Sequence, residues 1–153
     1  MVVHKDWKYI GEGMEYAAYL VRDHVVKVPK AYFNDRYSRG DSWTAIREAD
    51  FDLGHVFTEK INAWVAYGKQ QVENSKYYGE FGVPTYVDVY GLVHQQYVVG
   101  REPTIAEEKE FIKFIRAKGM LPGDLYNGNF RITPLGPKIF DYGNSPLRRK
   151  HKG

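Results

Sequence analysis

Two aspartates and an asparagine near the C-terminal end of the chain have the types and spacing of a site for a hard cation and a reacting hydroxyl. In Gly123-Asp124-Leu125-Tyr126-Asn127-Gly128-Asn129 an aspartate is followed five positions later by an asparagine. Asp141-Tyr142-Gly143 adds a second aspartate twelve positions further on. Mg²⁺ prefers carboxylate, amide carbonyl and water oxygens. Asn129 and Asp141 are candidate ligands for it, and Asp124 is a candidate for orienting and deprotonating a hydroxyl that attacks a phosphoryl group. Asp, Asn and Gly are also ordinary turn formers, so this segment taken alone equally describes a pair of acidic turns.

A second group lies about a hundred residues upstream. Gly11-Glu12-Gly13 precedes the β-rich run Tyr16-Ala17-Ala18-Tyr19-Leu20-Val21, and Val25-Val26-Lys27-Val28 follows a turn at Asp23-His24. The pattern predicts strand, glycine turn, strand, tight turn, strand. Glycines let backbone approach phosphate oxygens with no Cβ in the way, and a lysine supplies a compact positive charge. Alternation puts Val26 and Val28 on one face of the third strand and Val25 and Lys27 on the other. Either half alone also describes a plain hairpin with a solvated lysine.

Further elements must position these residues. From Trp43 to about Tyr78, apolar residues at Leu53, Phe57, Ile61, Trp64, Val65, Gly68 and Val72 recur at three and four, which predicts one long helix or two joined helices. Asp41 or Ser42 would cap its start, and Ala45 and Ile46 would begin the stripe. Gly82-Val83-Pro84 breaks this helix. Strands are expected over Thr85–Tyr90 and Leu92–Val99, with Gly91 as the turn. Ile105 to Lys118 reads as a helix with Thr104 as its cap, Glu107 at the third helical position and Gly119 at its end. A hairpin from Phe130 to Phe140 turns at Pro134-Leu135-Gly136-Pro137. The sum is an α+β fold built on a five-stranded antiparallel sheet with one helical layer.

Composition bounds the class. At 153 residues, with 43% hydrophobic and 16% aromatic content, the chain is long enough for one domain with a real core. No apolar run reaches the roughly 18 residues of a membrane span, and the first residues lack a signal-peptide core, so a cytoplasmic protein without membrane contact is expected. The absence of cysteine excludes disulfides and thiolate zinc sites. The five histidines, at 4, 24, 55, 94 and 151, show no metal-ligand spacing, and no zinc site is expected. The 22 basic and 19 acidic residues give a mild net charge of +3, which does not argue for nucleic acid. The basic run Leu147-Arg148-Arg149-Lys150-His151-Lys152 reads as a frayed terminus.

Both motif sets, in this order and on these elements, resemble the protein-kinase-like superfamily. Gly11 and Gly13 match the first two glycines of its nucleotide loop and Lys27 its strand-three lysine. Asp124 matches the catalytic-loop aspartate, Asn129 the metal-binding asparagine, and Asp141 the aspartate of the Asp-Phe-Gly motif, with Tyr142 in place of phenylalanine. Tyr16 replaces the third glycine, and Pro122 stands where a histidine is usual. Gly123-Asp124-Leu125 is similar to divergent kinases of the aminoglycoside-phosphotransferase type. Gly11 to Tyr19, Val25 to Val28 and Gly82-Val83-Pro84 loosely resemble small early kinases of tailed bacteriophages.

The resemblance implies a single two-lobed domain over residues 1–153, with an N-terminal lobe at 1–100 and a strongly reduced C-terminal lobe at 101–153. It implies ATP and Mg²⁺ as cofactors, adenine read by the backbone at Gln96, Tyr97 and Val98, and a helical glutamate paired with Lys27. Glu59 is the favoured partner, with Glu73 and Glu48 as alternatives. The implied activity is transfer of the γ-phosphate to a hydroxyl, foremost a serine or threonine of a protein substrate. The alternative is a pseudokinase that acts by binding a target protein, in the host cytoplasm if the chain is phage-encoded. Only ten residues follow Gly143, so little protein-substrate platform is expected. Apolar surface left by a short lobe would suit a homodimer.

Overall fold

The computed structural model describes residues 6–34, 44–121 and 130–140. Strands β1 (Lys8–Glu12), β2 (Tyr16–Val21) and β3 (His24–Pro29) form consecutive antiparallel hairpins. With β4 (Thr85–Val87) and β5 (Val93–Gln96) they make a five-stranded antiparallel sheet in the order β1-β2-β3-β5-β4. The expected alternation holds. Ala17 pairs with Val28 and Tyr19 with Val26, and all four are buried on one face. Burying each large apolar side chain fully contributes about 1.5–3 kcal/mol, and this stripe sets the register.

The stripe is covered by helical turn α1 (Ala31–Asn34), by a helical turn at 44–47 and by Phe51, Leu53 and Val56. The Tyr19 hydroxyl donates to the Ile46 carbonyl at 2.6 Å, tying the turn at 44–47 to the middle of the sheet. Burial pushes the Tyr19 phenol up from its ordinary pKa.

The long helix, α2 (Thr58–Tyr77), is present, but it begins later than the apolar stripe predicts. Ala49 adopts φ 53°, which a right-handed helix does not continue through. Asp52 then accepts from the Gly54 N–H at 2.9 Å and caps a separate 3₁₀ turn, Leu53–His55. Leu53 is buried in that turn, whereas Phe57 is 71% exposed and is no part of a core stripe. Asp41 and Ser42, the expected caps, lie outside the described residues. Strands β4 and β5 are also shorter than expected, because Asp88 gathers the connection between them. Its Oδ1 accepts from the N–H groups of Tyr90 at 2.9 Å and Leu92 at 3.0 Å.

The chain forms two compact units, Met1–Lys69 with Thr85–Tyr97, and Gln70–Pro84 with Val98–Gly153. The division differs from a single cut at residue 100, since the last eight residues of α2 and the segment to Pro84 belong to the second unit. Within that unit, α3 (Ile105–Ala117) and the hairpin β6 (Phe130–Thr133) and β7 (Gly136–Ile139) enclose a core of Tyr78, Phe111, Ile112, Ile115, Phe130 and Ile139. Ile105 is 77% exposed and lies outside this core. The capping box at Thr104 and Glu107 forms as predicted, and Gly119, at φ 79°, ends the helix. Among the described residues no helix is long and apolar enough to cross a membrane.

Candidate functional site

The glycine turn is built from both sides of the first hairpin. The Gly13 N–H donates to the Tyr16 carbonyl at 2.9 Å and closes the loop. A bulge between Tyr9 and Gly11, with Gly11 at φ 154°, reorients the strand just before it. That φ favours glycine at position 11. Among the described residues, a Cβ built on Gly11 or Gly13 would meet no atom within 4 Å. Glu12 anchors the turn. Its carboxylate accepts from the Tyr9 hydroxyl at 3.0 Å and pairs with Lys30 Nζ at 2.6 Å, and Lys30 also donates to the Gly13 carbonyl at 3.1 Å. Burial, with the Glu12 contact second, pushes the Tyr9 phenol up.

Strand register joins this turn to Lys27. Gly11 stands opposite Ala18, Ala18 opposite Lys27, Lys27 opposite Val93, and Val93 opposite Val87. Directly paired residues project to the same face, so these five form one row across the sheet. Ala18 is the only residue between the glycine and the lysine, and its methyl is the smallest side chain that could occupy that place. Helix α2 packs on the same face. Gly68 lies so close to β4 and β5 that an added Cβ would fall 2.5 Å from the Val87 side chain. Further along, Trp64 and Tyr67 pack against Tyr16, and the Tyr67 hydroxyl bonds Glu15. Burial pushes the Tyr16 phenol up.

The expected partner of Lys27 is elsewhere. Glu59 is exposed in the first turn of α2. At 3.6 residues per turn it lies roughly opposite the side carrying Ile61, Trp64 and Gly68, which faces the first unit's core and sheet. The structure therefore does not bring Glu59 to Lys27. Glu73 and Glu48 are exposed as well, and Glu73 sits 3.7 Å from Lys76 on its own helix. Periodicity identified the helix, but its rotation about its axis was decided by the close approach at Gly68.

Gln96 ends β5 opposite His24, with an exposed side chain. Tyr97 and Val98 follow outside the strand, Tyr97 43% exposed and Val98 half-buried. Here the chain passes from the first unit to the second. Asp124, Asn129 and Asp141 lie outside the described residues.

Two histidines that show no pairing in the sequence are neighbours in the fold. His94 Nδ1 lies 3.4 Å from His24 Nε2, and His94 Nε2 lies 2.8 Å from Asp88 Oδ2. The positions are 70 residues apart, and the pairing of β3 with β5 joins them. The only signal was their place on strands, and without the register it has no content.

No known family model matches this chain, and no curated protein matches it significantly.

Proposed function

We propose that the chain is an ATP- and Mg²⁺-dependent phosphotransferase, a minimal kinase that acts on a serine or threonine hydroxyl of a protein. The observation that carries this reading is the cross-strand row Gly11, Ala18, Lys27. It puts a side-chain-free stretch of backbone and a cation on one face of one sheet, separated by a single methyl. Among the described residues no atom crowds Gly11 or Gly13, which suits phosphate oxygens that need backbone N–H groups at close range.

In this reading the peptide N–H groups of the turn other than that of Gly13, which donates to Tyr16, and the ammonium of Lys27 hold the phosphates. Gln96, Tyr97 and Val98 contact adenine. Bound Mg²⁺ would neutralise charge on the phosphates, and Asn129 and Asp141 are the residues to hold it. Asp124 takes the proton of the acceptor hydroxyl. The oxygen then bonds to the γ-phosphorus as the bond from that phosphorus to the β,γ-bridging oxygen breaks, and ADP leaves. Glu59 has no part in this scheme, so Lys27 must be held by other groups.

The test is phosphoryl transfer from radiolabelled ATP with Mg²⁺, to the protein itself and to generic protein substrates. Transfer should be seen, and Lys27→Ala and Asp124→Ala should each reduce it at least about a hundredfold, the scale of a lost charge-stabilising or acid–base group. Wild-type transfer no greater than that of Asp124→Ala overturns the enzymatic reading.

One observation favours a second reading, a pseudokinase that binds a target protein. Pro122 stands where a catalytic-loop histidine is usual in the family that the chain resembles, so the loop lacks that brace. A ligand that binds the folded state raises its apparent stability. Stabilisation by ATP that requires Mg²⁺ supports the enzyme, and indifference to nucleotide supports the binding protein.

A further inference from the structure

We infer that His24 and His94 form a binding site for a divalent transition cation of the zinc type. The site is on the face of the sheet opposite Lys27 and is independent of the phosphotransferase reading. His24 is in register with Gln96 on β5, and His94 is in register with Val26 on β3, so both imidazoles rise from the same face of adjacent strands. Their facing nitrogens, His24 Nε2 and His94 Nδ1, are 3.4 Å apart. Two nitrogens bound at 2.0–2.1 Å to one tetrahedral Zn²⁺ are separated by about 3.3 Å. The pair thus already has the spacing of one edge of a zinc coordination tetrahedron.

The far nitrogen of His94 is held so as to keep its near one available. Asp88 accepts two backbone N–H bonds on Oδ1 and places Oδ2 2.8 Å from His94 Nε2. An ionised carboxylate only accepts, so Nε2 carries the hydrogen and Nδ1 presents its lone pair to His24. Asp23 Oδ1, 3.9 Å from His24 Nδ1 and fully exposed, is beyond hydrogen-bond distance, so His24 Nε2 is free to carry a hydrogen toward His94 Nδ1 or to give it up to a cation. A carboxylate behind a ligating imidazole, as Asp88 stands behind His94, is the usual way proteins fix its tautomer for a metal. Without a cation, a hydrogen on His24 Nε2 bridges the two nitrogens, and a bound cation takes its place.

The ring of His94 is also held in place. Tyr86, paired with it across β4 and β5, stacks on it with ring centroids 4.5 Å apart and planes within 1°. The His24 side chain is 35% exposed and that of His94 15%, so solvent reaches the pair and water can complete the coordination. Imidazole suits Zn²⁺, Cu²⁺ and Ni²⁺ rather than Mg²⁺, so this site and a magnesium site would not compete for one ion. Among the described residues no group of three or more His, Cys, Asp or Glu side chains could hold a metal, which makes this an open, two-histidine site of modest affinity.

The test is titration of the full chain with Zn²⁺ alone, without nucleotide or Mg²⁺, by calorimetry and by ¹⁵N NMR of the imidazoles. Expected are saturable binding at one site and selective shifts of His24 Nε2 and His94 Nδ1. His24→Gln should abolish this binding. Asp88→Asn should weaken it about tenfold or more, the usual cost of losing a supporting carboxylate. His55→Gln should leave it intact. Unchanged binding in a folded His24→Gln variant, or shifts confined to other histidines in the wild type, would overturn the inference. The NMR readout uses the wild type and so does not depend on any variant folding.

Discussion

Lys30 closes back on Glu12 at 2.6 Å, so the residue that follows β3 fastens the turn that follows β1. The same ammonium reaches the Gly13 carbonyl at 3.1 Å. Glycines make this loop able to approach a ligand, but they also leave it conformationally loose. Holding it through Glu12 removes part of the ordering cost that binding would otherwise carry.

In the proposed phosphotransferase, Lys30→Ala should therefore raise KM for ATP several-fold with little change in kcat, since in that reading Lys30 positions the turn and Lys27 meets the phosphates. Steady-state kinetics reads the split. Loss of this partly exposed pair should cost about 1 kcal/mol or less in urea unfolding. A fall in kcat at unchanged KM would mean that Lys30 acts directly on the reaction.

Gly68→Ala should destabilise the first unit. Alanine gains about 1 kcal/mol in intrinsic helix propensity, but its Cβ would lie 2.5 Å from the branched side chain of Val87. Overpacking of this kind costs about 1–3 kcal/mol, so a net loss is expected. Thermal unfolding measures it, and a rise in Tm would show that α2 can slide on the sheet.

Tyr19→Phe should cost about 0.5–1.5 kcal/mol by removing a buried hydrogen bond to Ile46 without opening a cavity. The loss stays modest because the Ile46 carbonyl also accepts from the Ala49 N–H at 3.2 Å. Hydrogen exchange should localise the loosening to residues 44–49, with the strand amides of β2 and β3 still protected.

Glu107 carries a pH dependence whose sign is fixed. The side-chain bond from Arg101, with both guanidinium-to-carboxylate distances at 2.7 Å, and the Thr104 N–H lower its pKa to about 2. A carboxylate held below its unfolded value, ordinarily 4.5 here, contributes stability that is full above that value. That contribution fades as pH falls from 4.5 toward about 2. The Tm difference between wild type and Glu107→Gln should be largest at neutral pH and shrink across that window. A difference that grew on acidification would contradict the capping role.

Local features were legible wherever one short segment decides its own conformation. Thr104 and Glu107 signal a helix start because both hydrogen bonds are made within four residues. Gly119 signals the end of α3, and Gly136 the turn of the last hairpin, since each backbone adopts a positive φ that glycine tolerates. Alternation over Val25 to Val28 set the core face of β3 for the same reason. The start of α2 was not legible, because an apolar spacing of three and four persists through a 3₁₀ turn and a left-handed residue at Ala49.

By itself, then, the sequence determined the α+β class, the five antiparallel strands, the two principal helices and the glycine turn with its lysine two strands on. These follow from hydrogen bonds and side-chain periodicities that span a few residues. Only the tertiary structure decided that Glu59 faces away from the sheet, that Lys30 holds Glu12, and that His24 meets His94 under the ring of Tyr86. Each depends on strand register or on the rotation of a helix about its axis. Packing at positions such as Gly68 and Val87 sets those, and no local spacing encodes them.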